Sequence, residues 1–443
     1  MSEALDISRP QQQTAAAMPS GAKRPRIVIV GGGFAGIAAA KALRHCDAEV
    51  VVIDRRNHHI FQPLLYQVAT AVLAPSEVAA PIRQLEAKQK NVSVLLAEVV
   101  GVDLGSRSID ANCPGIGIKK IGFEYLVIAA GMQSSYSGHG EFAEYAPCLK
   151  TITDAETIRS KILSAYELAE PTDDAAERQR QMTFVLVGAG PTGVELAASL
   201  AQLATTTLRR NFRRIDPATT TIILLDGARR ILPSFAESLS KKATDRLAKL
   251  GVQVITDAMV ESIDARGVTV ARKLISCGAV LWTAGVSPSP LVKMLGVATD
   301  RAGRACVGPF LTVPDTPNIF VIGDTATLVQ NGKPLPGVAQ VAIQQGRYVG
   351  RLISRKVRGR KPPRPFRYFD KGNMAVVGKN FAIMETRHIR LAGFTAWFAW
   401  AFIHLLFLPQ LQNRLRVERQ WMWSYFTGQR NSRLVTEAPR FGK

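Results

Sequence analysis

Two glycine clusters have the spacing that brings a peptide backbone close to a phosphate. Gly31-Gly32-Gly33-Phe34-Ala35-Gly36 follows the β-branched run Arg26–Val30 and opens Phe34–Cys46, where small residues recur at helical spacing. In a G-x-G-x-x-G loop placed this way, Gly31 permits the tight turn, Gly33 admits a pyrophosphate and Gly36 lets helix and strand pack closely. The phosphates then face the positive end of the helix. The next strand, Glu49–Asp54, ends in an acid that can accept bonds from the adenosine ribose, with Arg55 beside it.

Gly188-Ala189-Gly190-Pro191-Thr192-Gly193 repeats the pattern after the run Met182–Val187, and its acid candidate is Asp226, beyond the strand Thr220–Leu225. The spacing exceeds the usual twenty or so residues because a basic, proline-terminated insertion, Arg209–Pro217, lengthens the path. A carboxylate there favours NADH and repels the 2′-phosphate of NADPH, although Arg229 and Arg230 could pair with that phosphate. NADH is the expectation. Two loops imply two dinucleotides, and a flavin with a nicotinamide is a working redox pair where two nicotinamides would be idle. Glu195, two residues past Gly193, reads either as an acid placed at a positive helix end or as a group with a task near the cofactors.

Around these loops the elements follow a βαβ rhythm. Asn91–Val102 and Phe123–Ala130 read as further strands, the latter closing on Ala130-Gly131, and Glu170–Gln181 is a polar stretch before the second unit. Later strands are expected at Val252–Ile255, Gly267–Val270, Ala279–Thr283 and Asn318–Ile322, the last leading into Gly323-Asp324. The pattern predicts an α/β chain with two Rossmann-like dinucleotide-binding domains, one inserted in the other, plus a C-terminal membrane-attachment region. The expected division is a disordered leader at 1–24, one dinucleotide-binding domain at 25–155 and 291–365, a second at 156–290 and an anchoring region at 366–443. The five cysteines form no C-x-x-C pair, which removes support for zinc ribbons and thioredoxin-like chemistry, and no metal site is read. Cys46 is expected to lie buried on a helix.

These motifs resemble those of the two-dinucleotide-binding-domain flavoproteins, in which the first loop holds FAD and the inserted domain holds NAD(P)H. Val321-Ile322-Gly323-Asp324 is similar to the second FAD motif of that superfamily, whose Asp binds the ribityl chain. Disulfide reductases need a redox cysteine pair after the first loop, where this chain offers only Cys46. Ala339-Gln340-Val341-Ala342-Ile343-Gln344-Gln345-Gly346 resembles the quinone-site motif of type II NADH:quinone oxidoreductases, and the Trp282-Thr283-Ala284-Gly285-Val286 turn and the apolar tail look like that family too. The resemblance implies FAD-dependent oxidation of NADH with two-electron reduction of a membrane quinone, without proton pumping. It makes Gln340 and Gln344 candidates to line the quinone pocket, with Gln345 as a further one, places Ala342 at the flavin, and sets Glu195 near the nicotinamide–flavin contact. Lys379 is a candidate for a proton or charge role near the quinone; an exposed loop lysine is the other reading. A soluble reductase of a protein electron carrier and an NADH-sensing flavoprotein working by partner binding remain alternatives.

The net charge of +21 is concentrated partly in Arg351–Arg367, upstream of the apolar run Leu391–Leu408. Basic residues beside an apolar anchor favour anionic lipid over nucleic acid. The run could span a bilayer, lie in its interface, or pack inside the protein or a homodimer contact. Beyond Pro409, Leu411, Leu415, Met422 and Phe426 share one helical face, interrupted by Glu418. Interfacial aromatics beside basic residues favour monotopic attachment, and with NADH as substrate the expected location is the cytoplasmic face of the cell inner membrane.

Overall fold

The computed structural model describes residues 24–435. The leader read at 1–24 therefore lies outside the described residues except for its last position. Two parallel sheets form the scaffold. The first runs in the order Thr312–Val313, Thr316–Val321, Tyr125–Ile128, Arg26–Val30, Glu49–Asp54, Val92–Leu96, with only the first pair antiparallel. The second runs Val252–Ile255, Thr221–Leu225, Thr183–Val187, Ala279–Trp282, all parallel. The central strands are Val- and Ile-rich because both faces of a parallel sheet are covered. The second sheet is built wholly from chain lying between strands of the first. Its entry and exit, Met132–Ser134 and Val286–Pro288, pair with each other as a short antiparallel ribbon.

Several expectations change in detail. Asn91–Val102 is not one strand. It breaks at buried Ala97, whose N–H bonds to Asp54 O at 3.0 Å, so that Val92–Leu96 stays in the parallel sheet. Glu98–Asp103 leaves to pair with Ser108–Cys113, which pairs in turn with Gly117–Gly122. No glycine or proline marks that break in sequence. Cys46 is buried, but in the turn beyond the helix Phe34–Ala42 rather than on it. The helix Ile152–Ala169 was not anticipated, although Thr151 caps it by accepting from Asp154 N at 3.1 Å. Also unanticipated is an antiparallel sheet of Asn373–Val376, Ala382–Glu385 and Arg390–Gly393, which carries the tail.

The apolar run Leu391–Leu408 is not one helix either. Its first residues belong to the strand ending at Gly393, whose φ of 102° turns the chain, and the helix is the 14-residue Phe394–Phe407. Fourteen residues rise about 21 Å, short of a hydrocarbon core of about 30 Å. Among the described residues no helix is long and apolar enough to cross a membrane, so the spanning reading is withdrawn. Ala396 and Trp400 pack inward, while Phe394, Phe398, Phe402 and Leu406 are exposed on the opposite face.

The helix Ala339–Val357 lies directly on Phe34–Ala42. A Cβ on Gly346 would stand 2.2 Å from Ala35 O, and one on Gly350 would stand 2.6 Å from Ala39 O. These glycines set how closely the first nucleotide helix and the Gln-bearing helix approach. Gly346→Val should force them apart, lower the unfolding free energy by about 3 kcal/mol and reduce the flavin retained on purification. Thermal unfolding and the flavin-to-protein absorbance ratio check both; unchanged values would mean the contact yields more easily than its backbone atoms suggest.

Candidate active site

The two glycine loops are built alike. Gly31 and Gly188 have φ of 109° and 103°. A Cβ on either would enter backbone, 2.3 Å from Ala129 O and 2.6 Å from Ala284 N. At Gly36 and Gly193 a Cβ would stand 1.8 Å from the first glycine's own carbonyl. By contrast Gly33 and Gly190 have nothing within 4 Å of that position. Each loop is therefore closed against the protein at its first and last glycines and open at the middle one, where a pyrophosphate needs room. The two acids are equivalent as well. Asp54 accepts from Gly32 N at 2.7 Å and Arg56 N at 2.8 Å, and Asp226 accepts from Ala189 N at 2.5 Å and Ala228 N at 2.7 Å. The longer insertion leaves Asp226 in the position equivalent to that of Asp54.

Arg230 is used elsewhere, donating to the carbonyls of Leu232, Pro233 and Phe235, so of the two arginines only Arg229 is exposed beside Asp226. Pro191 and Thr192 are exposed at the mouth of the second loop, and Ala284, just past the neighbouring strand, closes it at Gly188, while Gly285 packs against Ser135. Arg55 lies beside a cavity of about 220 Å³ with Leu96, Ala97, Glu98 and Asn112. Phe34 meets His59 and Phe61 edge-on. Gly131 follows Ala130 with φ of 69° and leads into the ribbon between the sheets. At the second flavin motif, Gly323 has φ of 72° and is flanked by Ala35 and Ala342. The adjoining Asp324 has its carboxyl pushed up by burial. Open middle glycines, paired ribose acids and a sheltered Asp324 fit a flavin dinucleotide on the first sheet and a nicotinamide dinucleotide on the second.

Glu195 stands in the second turn of the helix Pro191–Gln202, not the first, so a helix-end charge effect is not its role. Its Oε1 accepts from Val376 N at 3.3 Å, and burial pushes its carboxyl up to about 8. It faces a cavity of about 540 Å³ between this helix, the helix Leu65–Ala69 and the two C-terminal helices. Polar groups collect on the inner wall: Glu195, Tyr66, Gln67, Ser199 and Arg430. The outer wall is aromatic, from Phe394, Trp397, Phe402, Trp421 and Phe426. Trp421 Nε1 donates to Gln67 Oε1 at 2.7 Å, and Arg430 donates to Thr70 O at 2.8 Å and Ser199 O at 3.0 Å. Tyr66, Gln67, Ser199 and Arg430 had no signal in sequence, because three distant segments supply them.

The glutamines stand apart from this cavity. Gln345 is buried and accepts from Gly323 N at 2.7 Å, so it braces the flavin motif. Gln344 is bound on both sides of its amide, to Phe369 N at 3.0 Å and Phe369 O at 2.9 Å. Gln340 Nε2 donates to Gly372 O at 3.1 Å, leaving its Oε1 buried without a partner. Lys379 is exposed in a turn, as its second reading has it, and it also lines the cavity rim, donating to Tyr425 O at 2.7 Å and lying 4.0 Å from that ring's centre.

With this geometry in place, the likenesses to known proteins are informative. Residues 25–346 match the pyridine nucleotide-disulphide oxidoreductase family, although the cysteines are all free and none forms a pair after the first loop. The chain is 42% identical to the type II NADH:quinone oxidoreductase NdhA of Mycobacterium tuberculosis, over 93% of this chain and 90% of that protein. It is 40% identical to the type II NADH:quinone oxidoreductase Ndh of the same organism, over 98% and 94%. The structure of NDH2 from Plasmodium falciparum in complex with NADH superposes with a TM-score of 0.83 at 20% identity, covering 92% of this chain and 99% of that one. Duplicated dinucleotide loops, a missing cysteine pair and these likenesses agree: the chain belongs to the type II NADH:quinone oxidoreductases.

Proposed function

We propose that this enzyme reduces its quinone in the cavity between the helix Pro191–Gln202 and the C-terminal helices, with Glu195 as the proton donor. The buried Glu195 at the polar wall of an otherwise aromatic cavity carries this reading. The chain oxidises NADH and reduces a quinone, and bound FAD supplies the two-electron relay between them. The protein's task is to hold both partners, exclude water and provide protons. NADH binds at Gly188–Gly193 with its adenosine ribose on Asp226, and FAD binds at Gly31–Gly36 with Asp54 and Asp324. A quinone ring fits the aromatic walls and leaves its carbonyls to the polar one. Gln340 has a supporting part, since its unpartnered Oε1 is an acceptor held at the start of the flavin-side helix. Gln344 and Gln345 act as positioning residues, and Lys379 closes the rim. The FAD-binding division at 25–155 and 291–365, with NADH-binding residues 156–290 between them, follows the same assignment.

The exposed aromatic face of Phe394–Phe407 continues into Leu411, Leu415, Met422, Trp423 and Phe426 on the next helix. Basic residues surround it, including Lys371, whose Nζ lies 5.8 Å from the centre of the Phe407 ring. We read this face as a monotopic anchor in an anionic leaflet, on the cytoplasmic side of the cell inner membrane where NADH is available. The same face could close a homodimer, but its basic rim favours lipid phosphate over a like-charged copy. The reaction is not coupled to proton pumping.

Asp226→Ala should raise KM for NADH about tenfold and narrow the preference over NADPH, with kcat for NADH little changed; steady-state kinetics with both nucleotides decide. Glu195 is the acid form at neutral pH, so quinone turnover should fall as pH rises through about 8. Glu195→Gln should remove that fall and lower kcat about a hundredfold; a retained alkaline limb in the variant would move the proton donor elsewhere. Replacing Leu406, Leu411 and Leu415, which are exposed outside the cavity, together by Glu should release the protein from vesicles containing phosphatidylglycerol while leaving reduction of a short-chain quinone largely intact. Sedimentation with vesicles tests it, and undiminished binding would refute the anchor.

A further inference from the structure

Arg430 lies in the segment after the last helix and is only 5% exposed. Its Nη1 donates to Thr70 O at 2.8 Å and Ser199 Oγ at 3.4 Å, and its Nη2 donates to Ser199 O at 3.0 Å. Among the described residues it forms no salt bridge with any carboxylate. Burying a cation without a counter-charge costs several kcal/mol, and a neutral amide could make similar bonds at lower cost. Arg430 is nevertheless part of the wall of the cavity that holds Glu195. The other ionisable groups on that cavity are Tyr66, which feels both Glu195 and Arg430, together with Lys379, Glu418 and Tyr425. Lys379 already has the carbonyl and ring of Tyr425, and Glu418 is exposed.

We propose that Arg430 is a catalytic residue for quinone reduction, its guanidinium stabilising the negative charge that builds on a quinone oxygen as electrons arrive. The inference rests on the reading of this cavity as the quinone site. In the step itself the quinone gains two electrons, originating in NADH, and two protons, and leaves as quinol. One proton comes from Glu195, which is reprotonated from solvent, and the other is the one NADH gives up with its two electrons, so the net reaction takes up a single proton. Arg430 keeps its proton throughout. Burial lowers its pKa only to about 9, so it remains cationic at neutral pH while Glu195 is neutral. A charge present before the reaction needs no reorganisation when the oxygen becomes negative, which is the condition for differential stabilisation.

A fixed, uncompensated cation should distinguish an anionic ring from a neutral one. On the FAD-loaded full-length protein at pH 7, calorimetry should show the anion of 2-hydroxy-1,4-naphthoquinone binding about tenfold tighter than neutral 2-methyl-1,4-naphthoquinone. Arg430→Gln should abolish that ratio and reduce kcat for the neutral quinone more than it changes KM. Arg430→Lys keeps the charge while disturbing the bonds to Thr70 and Ser199, and should preserve most of the ratio. A wild-type protein without preference for the anion overturns the proposal even if the variants fail to fold. Equal loss of the ratio in the Lys and Gln variants also overturns it, because that is what a purely structural clasp predicts. Ala401→Trp fills the same cavity from the tail helix and separates the two levels. If it leaves both naphthoquinones binding normally, the cavity assignment itself fails. If it weakens both while Arg430→Gln leaves the ratio intact, only the role of Arg430 fails.

Discussion

The side-chain amide of Asn413 donates to three carbonyls, those of Ser76, Glu77 and Ala79, at 3.2, 2.9 and 3.1 Å. This buried clamp fixes the helix Leu411–Thr427 against the N-terminal part of the chain, and the candidate site depends on it. It brings Trp421 within reach of Gln67 and lets the following segment deliver Arg430 to Ser199. Without it the cavity would have an inner wall from residues near 66 and 195 and no outer one. Losing the clamp would also take from these partly buried carbonyls their shared donor. The tail therefore shapes the site as well as carrying the exposed apolar face.

Inside that frame the two nucleotide units obey one geometric rule. The acid must end the strand beside the loop strand, with its carboxylate turned back toward the loop. Chain length between the two is otherwise free, because a surface excursion costs only slowly increasing closure entropy. The acid and its loop N–H are 22 residues apart in the first unit and 37 in the second. Glu170 stabilises the longer excursion by accepting from Arg213, Arg214 and Ile215 backbone N–H groups. The insertion thus packs as an ordered loop and leaves the spacing of the acid in three dimensions intact.

The glycine loops, their strands and their acids were legible because backbone contacts prescribe residue type: a Cβ at Gly36 or Gly193 has no room at all. Parallel strands were legible as Val- and Ile-rich runs. Of the antiparallel sheets only Gly267–Val270 was legible, since strands such as the one holding Ile118, Lys119 and Lys120 are mostly exposed with no clear alternation. The break at Gly393 was hidden inside an unbroken apolar run. Glu195 could be singled out from its place after the loop, but its raised pKa depends on surroundings contributed by the tail. Arg430 looked like one basic residue among many, and only its burial beside Ser199 separates it from the rest.

That separation also explains why an acid and a cation can share one cavity without cancelling. A direct ion pair would favour the carboxylate and draw the pKa of Glu195 down, ending its use as an acid at neutral pH. The phenol of Tyr66, itself pushed up by burial, lies within the influence of both groups. Its hydroxyl accepts from Gln67 Nε2 at 3.0 Å and so stays fixed in place. Meanwhile Arg430 directs its Nη groups to neutral oxygens, which hold it without neutralising it. The cavity can therefore keep a proton and a positive charge at once, and both become more favourable only when a bound oxygen turns negative. That condition is met by a quinone accepting electrons and not by the resting quinone, so the energetic cost of burying Arg430 is recovered in the transition state.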